Sequence, residues 1–198
     1  PEVVNLSSYT QFVIITEKQL ENPFGSKLKE GLLGSDKPIH VFTSEASEGN
    51  KTEEEADRIL TDILEIKPQV DRKTLVFALG GGVIGDMAGY IAGGVLRGVD
   101  YFQVPTTLLA MVDSSLGGKT AVDHKNAKNM IGLFHLPRAT VMDIDVLRSL
   151  PERQIMSGFA EFVKNAFLKE EIFKFIAGED IRSIMRDSNK LIKGLRLS

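Results

Sequence analysis

Cysteine is absent from this sequence of 198 residues. Disulfide bonds and metal sites built from thiolates are therefore excluded, and a reducing, cytoplasmic location is expected. Histidine is scarce, since the chain has only His40, His124 and His135. His40 lies within an apolar segment and is expected to be structural, whereas His124 lies in a polar loop where it could contact a ligand.

Clusters of basic residues and long apolar runs are also missing. The formal net charge is -3, and no patch rich in Lys and Arg offers the phosphate contacts that a nucleic-acid-binding surface needs. The longest apolar runs have the length of a β-strand and are too short to span a bilayer. Hydrophobic residues still make up 42% of the chain, which is enough to bury a core.

Short β-branched and apolar segments alternate with helical periodicity along the first 149 residues. The predicted strands are residues 12–16, 39–43, 74–79 and 101–104. Thr52 and Glu55 match a capping box ahead of one helix, and a second, apolar helix follows the glycines after residue 79. The fully apolar third strand suits the centre of a parallel sheet. The pattern predicts a Rossmann-like, doubly wound α/β domain with a mostly parallel sheet.

The sequence changes in character at Leu150-Pro151-Glu152. Proline favours the first turn of a helix, and apolar residues then recur at helical spacing to the end of the chain. We therefore predict an α/β domain over residues 1–149 and the start of an all-helical domain over residues 150–198. These last helices have no strand partner or closing element, so the second domain is expected to be cut short.

Two glycine-rich segments could bind phosphate groups. Gly80, Gly82 and Gly85 have the spacing of a dinucleotide fingerprint between a strand and a helix, although a tight turn without a ligand is the alternative. Gly117-Gly118-Lys119-Thr120 resembles the end of a P-loop, but Asp113 stands where the loop needs its first glycine. A P-loop NTPase is therefore excluded.

A set of polar residues stands among small and apolar ones. Asp113, Lys119, Lys128 and Asn129 lie in predicted loops, where each could also be an ordinary surface residue. Glu161 and Lys164 share one face of a predicted helix, as a surface ion pair would. Their apolar neighbours favour burial and hence a functional role.

Six segments together closely resemble the 3-dehydroquinate synthase family. They are residues 80–89 (GGGVIGDMAG), 96–98 (LRG), 103–110 (QVPTTLLA), 112–122 (VDSSLGGKTAV), 128–132 (KNMIG) and 158–164 (GFAEFVK). The resemblance is strong from about Thr74 to Lys169, weaker before Glu48, and fades after Lys169. Several matches in the same order make it far more specific than any single glycine motif.

The resemblance implies catalytic NAD and a divalent metal, zinc or cobalt. The implied cofactor-binding residues are Glu48, Lys51, Gly81, Gly82, Val83, Asp86, Thr106, Thr107, Lys119 and Lys128. The implied substrate and catalytic residues are Asp113, Lys119, Asn129, Lys164 and Arg97, and Glu161 matches a carboxylate ligand of the metal. Arg97 resembles an arginine that reaches the substrate phosphate across a subunit interface, so a homodimer is expected.

The implied reaction converts 3-deoxy-arabino-heptulosonate 7-phosphate to 3-dehydroquinate and phosphate, a step of the shikimate pathway. The alternatives are another sugar-phosphate cyclase, a glycerol-dehydrogenase-like enzyme and an inactive NAD-binding module.

Two features of this sequence depart from the family pattern. Glu17 and Gln19 stand where an Asp and an Asn are usual near the ribose, and no histidine follows His135 to complete the metal site. The 198-residue chain alone is therefore expected to be inactive.

Overall fold

The computed structural model describes residues 5–125 and 127–197. Its central sheet has five strands in the order β2-β1-β3-β4-β7, and every pairing in it is parallel. A separate antiparallel hairpin is formed by β5 and β6. The strands are β1 Gln11–Glu17, β2 Ile39–Ser44, β3 Thr74–Gly80, β4 Tyr101–Pro105, β5 Lys119–His124, β6 Ala127–Phe134 and β7 Ala139–Thr140. The parallel sheet and its four predicted strands are confirmed.

The helices that cover the sheet follow its first three strands, and further helices come after its last strand. They are α1 Ser26–Leu33, α2 Glu53–Glu65, α3 Gly82–Gly94, α4 Glu152–Ala166, α5 Glu170–Ile176, α6 Ile181–Arg186 and α7 Ser188–Leu197. At the start of α2 the Thr52 hydroxyl accepts from the Glu55 amide at 3.2 Å, as predicted. The other half of the predicted capping box is wrong, because the Glu55 carboxylate accepts from the Arg58 guanidinium instead.

Both faces of the sheet are buried because successive side chains of each strand point to opposite sides. On one face, Val13, Ile15, Val76 and Ala78 pack with the apolar side chains of α2 and α3. On the other, Phe12, Ile14, Leu75, Phe77 and Leu79 form a second core with Leu32 of α1. The prediction that residues 74–79 form a central strand covered on both faces is therefore confirmed.

The hairpin of β5 and β6 replaces a predicted loop. Residues 119–128 were expected to be irregular, but Thr120 pairs with Leu133 and Val122 with Ile131. The hairpin packs against the glycine-rich side of α3, where a Cβ on Gly89 or Gly93 would collide with Thr120 or Leu133. The hairpin thus depends on α3 having no side chains at these two positions.

The helical segment packs on the turn that follows β4. Leu108, Met111 and Val112 join apolar residues of α4, α5, α6 and α7 in a third core. A Cβ on Gly158 of α4 would lie 2.5 Å from the Leu109 amide nitrogen, so this contact requires glycine. The helical prediction after Pro151 is confirmed, while the domain division at residues 149 and 150 stays a prediction. In the described part of the chain, no helix has the length and apolar composition needed to cross a membrane.

Candidate active site

The glycine turn lies between β3 and α3, at the carboxyl end of the central strand. A Cβ on Gly82 would lie 3.0 Å from Ser114 Oγ, and one on Gly85 would lie 2.8 Å from Gln103 Oε1. Gly85 therefore allows α3 to pack closely on β4, and Gly82 allows Ser114 to approach the start of α3. The first amides of a helix have no partner within the helix and attract anions.

Strand order reverses beside this turn. The chain runs from β1 outward to β2 and then back to β3, and such a switch point is the usual ligand site of an open parallel sheet. Glu17 ends β1 here, and its Oε1 accepts from the Gly81 amide at 3.4 Å. Burial raises the pKa of Glu17, while the bond from the Gly81 amide opposes that shift.

Thr106 and Thr107 close the opposite side of the turn. The Thr106 amide donates to the Gly80 carbonyl at 2.9 Å, and a Cβ on Gly81 would lie 3.3 Å from Thr107 Cγ2. Ser114 was not predicted as a site residue, yet its buried Oγ has no hydrogen-bond partner in the described part of the chain. A cradle of glycines beside such a hydroxyl fits the phosphate groups of a dinucleotide.

Lys51 is buried, with 3% of its surface exposed, although lysine is normally a surface residue. Its Nζ lies 2.6 Å from Asp86 Oδ2 and 2.5 Å from Asn129 Oδ1. Burial raises the pKa of Asp86, Lys51 opposes the shift, and the nearby charges of Glu48 and Asp113 add to it. Three predicted residues from distant parts of the chain are thus in direct contact.

Asp123 completes this arrangement and was not predicted. Its amide donates to the Lys51 carbonyl at 2.7 Å, and its Oδ1 accepts from the Asn129 amide at 2.7 Å. Asn129 has a φ of 57°, a left-handed conformation that asparagine tolerates better than most residues. We call these three residues, Lys51, Asp123 and Asn129, the polar ring. The polar ring depends on contacts across the hairpin. Because this segment was predicted to be a loop, no sequence pattern indicated that Asp123 belongs to the site.

A cleft of about 950 Å³ opens between the hairpin, the turn after β4 and the helical segment. Four predicted site residues line it: Asp86, Asp113, Lys119 and Asn129. Asn165 and Lys169 line it from the helical side and were not predicted as site residues. The cleft therefore combines cations, amides and carboxylates in a space large enough for a sugar phosphate.

Glu161 and Lys164 form the predicted pair on α4. Glu161 Oε1 contacts Lys164 Nζ, and the Lys164 side chain is 60% exposed while that of Glu161 is 18% exposed. The hydrogen bond with Glu161 raises the pKa of Lys164, and the charge of Asp113 acts in the same direction. Across residues 5–125 and 127–197, no three His, Asp or Glu side chains come together as a metal site. Since a catalytic zinc needs three protein ligands, these residues do not fit the metal on their own.

None of the three histidines lines the cleft. His124 Nδ1 lies 2.8 Å from Glu53 Oε2 on the surface, in a hairpin strand and not in a loop. His135 Nε2 lies 2.9 Å from the Val99 carbonyl, and its ring stacks on Tyr101. Burial lowers the pKa of His40 in β2.

Lys128 and Arg97 are among the predicted residues that do not line the cleft. Lys128 is exposed, and its Nζ lies 3.5 Å from Glu48 Oε1. Arg97 follows the far end of α3, about 20 Å from the glycine turn at 1.5 Å per residue. Its φ of 70° belongs to a left-handed run that includes Leu96 and Gly98. Arg97 therefore lies at the opposite end of α3 from the glycine turn.

This chain is similar to known proteins of one family. The family model described as 3-dehydroquinate synthase N-terminal matches residues 41–157. A 3-dehydroquinate synthase of Prochlorococcus marinus is 41% identical over 178 residues, covering 89% of this chain and 48% of the relative. One of Xylella fastidiosa is 43% identical over 163 residues, covering 81% of this chain and 41% of the relative. The chain spans about half the length of these curated relatives.

Solved structures give similar matches. A 2-epi-5-epi-valiolone synthase of Streptomyces hygroscopicus with NAD+ and Zn2+ bound is 28% identical, with a TM-score of 0.85 over 99% of this chain and 55% of that one. A 2-deoxy-scyllo-inosose synthase complexed with carbaglucose-6-phosphate, NAD+ and Co2+ is 30% identical, with a TM-score of 0.76 over 82% of this chain and 44% of that one. A glycerol dehydrogenase of Schizosaccharomyces pombe shares only the fold, at 19% identity and a TM-score of 0.61 over 77% of this chain and 36% of that one.

Proposed function

Because the chain belongs to the 3-dehydroquinate synthase family, we propose that it supplies the nucleotide-binding part and one side of the substrate cleft of such an enzyme. The complete protein would convert 3-deoxy-arabino-heptulosonate 7-phosphate to 3-dehydroquinate and phosphate. The observation that carries this proposal is the cleft, which gathers Asp86, Asp113, Lys119 and Asn129 beside the glycine turn.

NAD is the proposed cofactor, and the residues at the glycine turn fit it. Gly81 and Gly82 leave room for the pyrophosphate at the start of α3, with Val83 in the same turn and Thr106 and Thr107 alongside. Glu48 and Lys128 remain proposed contacts at the rim of the site. When bound, NAD would accept a hydride from a substrate hydroxyl carbon and later return it.

The cleft residues would bind and orient an anionic substrate. Lys119 offers an ammonium group to a carboxylate or a phosphate, and Asn129 offers an amide. Lys164, which precedes the cleft residue Asn165 on α4, is a proposed second ammonium group for the substrate. Oxidation of the C5 hydroxyl acidifies the neighbouring C6 hydrogen, so phosphate can leave by elimination. The substrate phosphate is the proposed base that removes this proton. Asp113 lies in the cleft wall, where its carboxylate could accept from a sugar hydroxyl.

Zinc or cobalt is the proposed metal of the complete enzyme. Glu161 is its proposed ligand from this chain, but one carboxylate does not make a catalytic site. Glu161 also holds Lys164, so the metal and the substrate would meet at this part of α4.

A homodimer in the cytoplasm is also proposed. Arg97 lies beyond the end of α3 and does not line the cleft of its own chain, so its proposed contact with the substrate phosphate is made from a second copy. The absence of cysteine suits a reducing compartment.

Phosphate release by the complete protein tests the function. With NAD and zinc or cobalt supplied, we expect release from 3-deoxy-arabino-heptulosonate 7-phosphate and little from sedoheptulose 7-phosphate or glucose 6-phosphate. Turnover of one of the other two sugars would favour a sister cyclase, the second candidate supported by the matches to the valiolone and inosose synthases. Oxidation of glycerol, or NAD binding with no turnover, would contradict a cyclase function.

A further inference from the structure

The polar ring closes through three hydrogen bonds, two of which join Lys51 to residues more than 70 positions later in the chain. The Lys51 carbonyl accepts from the Asp123 amide, Asp123 Oδ1 accepts from the Asn129 amide, and Asn129 Oδ1 accepts from Lys51 Nζ. Lys51 and Asp123 are both buried, at 3% and 9% exposed, while Asn129 lines the cleft. Two buried residues therefore hold the backbone and the side chain of one cleft residue.

The contact with Lys51 determines which branch of the Asn129 side-chain amide is the oxygen and which is the nitrogen. An ammonium group has three donors and no acceptor, so the Asn129 atom next to Lys51 Nζ has to be the oxygen. The amide nitrogen then occupies the other branch of the side chain, away from Lys51. With Oδ1 engaged by Lys51, the side chain presents N–H donors to whatever occupies the cleft.

The backbone of Asn129 is also held in place by a hydrogen bond. Its left-handed φ of 57° is an uncommon conformation for a residue other than glycine. The bond from the Asn129 amide to Asp123 stabilises this conformation, and Asp123 is fixed in turn by the Lys51 carbonyl. Without Asp123, the Asn129 side chain would keep its amide group but would no longer be held in one orientation.

We propose that Lys51 and Asp123 are positioning residues that hold Asn129 so that its amide N–H donates to an acceptor oxygen of the sugar phosphate. This inference rests on the proposed function for the identity of the substrate. It differs from the role that family resemblance implies for Lys51, which is a direct contact with the cofactor.

The test compares Asp123→Ala with Asp123→Asn in the complete protein. Asparagine keeps an acceptor oxygen for the Asn129 amide, and alanine does not. We expect Asp123→Ala to raise KM for the sugar phosphate about tenfold or more, since hydrogen bonds to charged groups are worth that much. Asp123→Asn should stay within about threefold of the unmodified protein, and the half-saturation for NAD should change less than about twofold in both variants.

Asn129→Asp provides a second variant in case Asp123→Ala does not fold. Its carboxylate can accept from Lys51, but it has no donor for the substrate, so KM for the sugar phosphate should again rise about tenfold or more. Equal kinetics of Asp123→Ala, Asn129→Asp and the unmodified protein would overturn the proposal. So would an equal loss of NAD and substrate affinity, which indicates a general structural defect.

Hydrogen exchange of the Asn129 backbone amide separates this proposal from the proposed function. The amide should be protected in the unmodified protein and in Asp123→Asn, and should exchange at least about tenfold faster in Asp123→Ala. If the unmodified protein turns over no sugar phosphate, the proposed function fails, but this measurement still decides the positioning role. An unprotected Asn129 amide in the unmodified protein would refute it.

Discussion

Glu17 sets a carboxylate against the first amide of the glycine turn, where a bound pyrophosphate would bring more negative charge. Burial raises the pKa of Glu17 above its value in the unfolded chain, which is about 4.3. Below that pH the carboxyl group is protonated in both the folded and the unfolded state, so it does not lower the free energy of unfolding. As the pH rises through the raised pKa of the folded state, ionisation of the buried group reduces stability.

Glu17→Gln should therefore unfold at a higher urea concentration than the unmodified chain at about pH 8, and the difference should disappear at about pH 4. Urea unfolding at both pH values is the measurement. The control is Glu21→Gln, which replaces an exposed carboxylate four residues later and should shift the midpoint little. A difference between Glu17→Gln and the unmodified chain that is the same at both pH values would contradict the role of ionisation.

Glu161→Ala in the complete protein should lower metal-dependent turnover by more than about a hundredfold, because the carboxylate is the proposed metal ligand. NAD affinity should change little, since Glu161 lies on α4 and the glycine turn begins α3. Metal content and NAD binding are measured beside the rate. Glu152→Ala removes an exposed carboxylate from the first turn of the same helix and should leave all three unchanged. Unchanged metal content and turnover in Glu161→Ala would make Glu161 an ordinary surface partner of Lys164.

At the scale of the residue, the sequence predicted correctly the placement of those residues that directly follow predicted strands. The glycines, Thr106 and Thr107 lie together because they follow neighbouring parallel strands. Lys51 and Asp123 could not be paired in this way, since 72 positions separate them and their bond depends on the packing of the hairpin. The partners of a buried lysine are set by the fold, and no spacing in the sequence encodes them.

At the scale of the element, the contact between α3 and the hairpin determines the shape of the cleft. Gly89→Ala places a Cβ of α3 against Thr120 Cγ2 and 3.1 Å from the Tyr101 hydroxyl oxygen. Overpacking of this kind costs about 1–3 kcal/mol, which exceeds the helix-propensity gain of up to about 1 kcal/mol. We therefore expect Gly89→Ala to lower the free energy of unfolding in a urea titration.

Gly31→Ala is the matched control, because it makes the same substitution within α1. A Cβ there would have no heavy atom within 4 Å, so only the helix-propensity gain applies. Its free energy of unfolding should rise by up to about 1 kcal/mol. If both variants shift in the same direction, the close packing of α3 on the hairpin does not limit stability.

The elements differ in how well sequence predicted them, and the reason is burial. The strands β1 to β4 are apolar or β-branched runs, as strands of a doubly covered sheet must be. The hairpin was missed because β6 is largely exposed and lacks the alternation of a half-buried strand. The strand β7 has only two residues, which is too short for any periodicity.

At the scale of the whole molecule, the described residues include the proposed nucleotide site but bring no three His, Asp or Glu side chains together as a metal site. We expect saturable but weak NAD binding by calorimetry, because the glycine turn, both threonines and Lys119 are present while Glu17 crowds the turn. We expect no phosphate release from heptulosonate phosphate even with zinc added. One carboxylate from α4 is too few ligands, and an open cleft leaves its charges screened by water.

The absence of saturable heat with millimolar NAD, for a folded chain, would contradict the cofactor assignment. Measurable phosphate release by a chain of verified mass would contradict the second expectation. It would also require a metal site built from residues other than Glu161, with His124 as the first histidine to test.

The burial of Lys51 also gives the molecule an internal reporter of opening. An amine-reactive reagent can modify a lysine only when its Nζ is free, and in Lys51 that atom is held by Asp86 and Asn129. Lys128, on the same hairpin as Asn129, has a side chain that is 68% exposed and should react at once. The labelling rate of Lys51 relative to Lys128, followed by peptide mass spectrometry, should therefore measure how often the hairpin separates from the loop before α2. A ligand that bridges Asn129 and Asp86 across the cleft should slow the labelling of Lys51 and leave that of Lys128 unchanged.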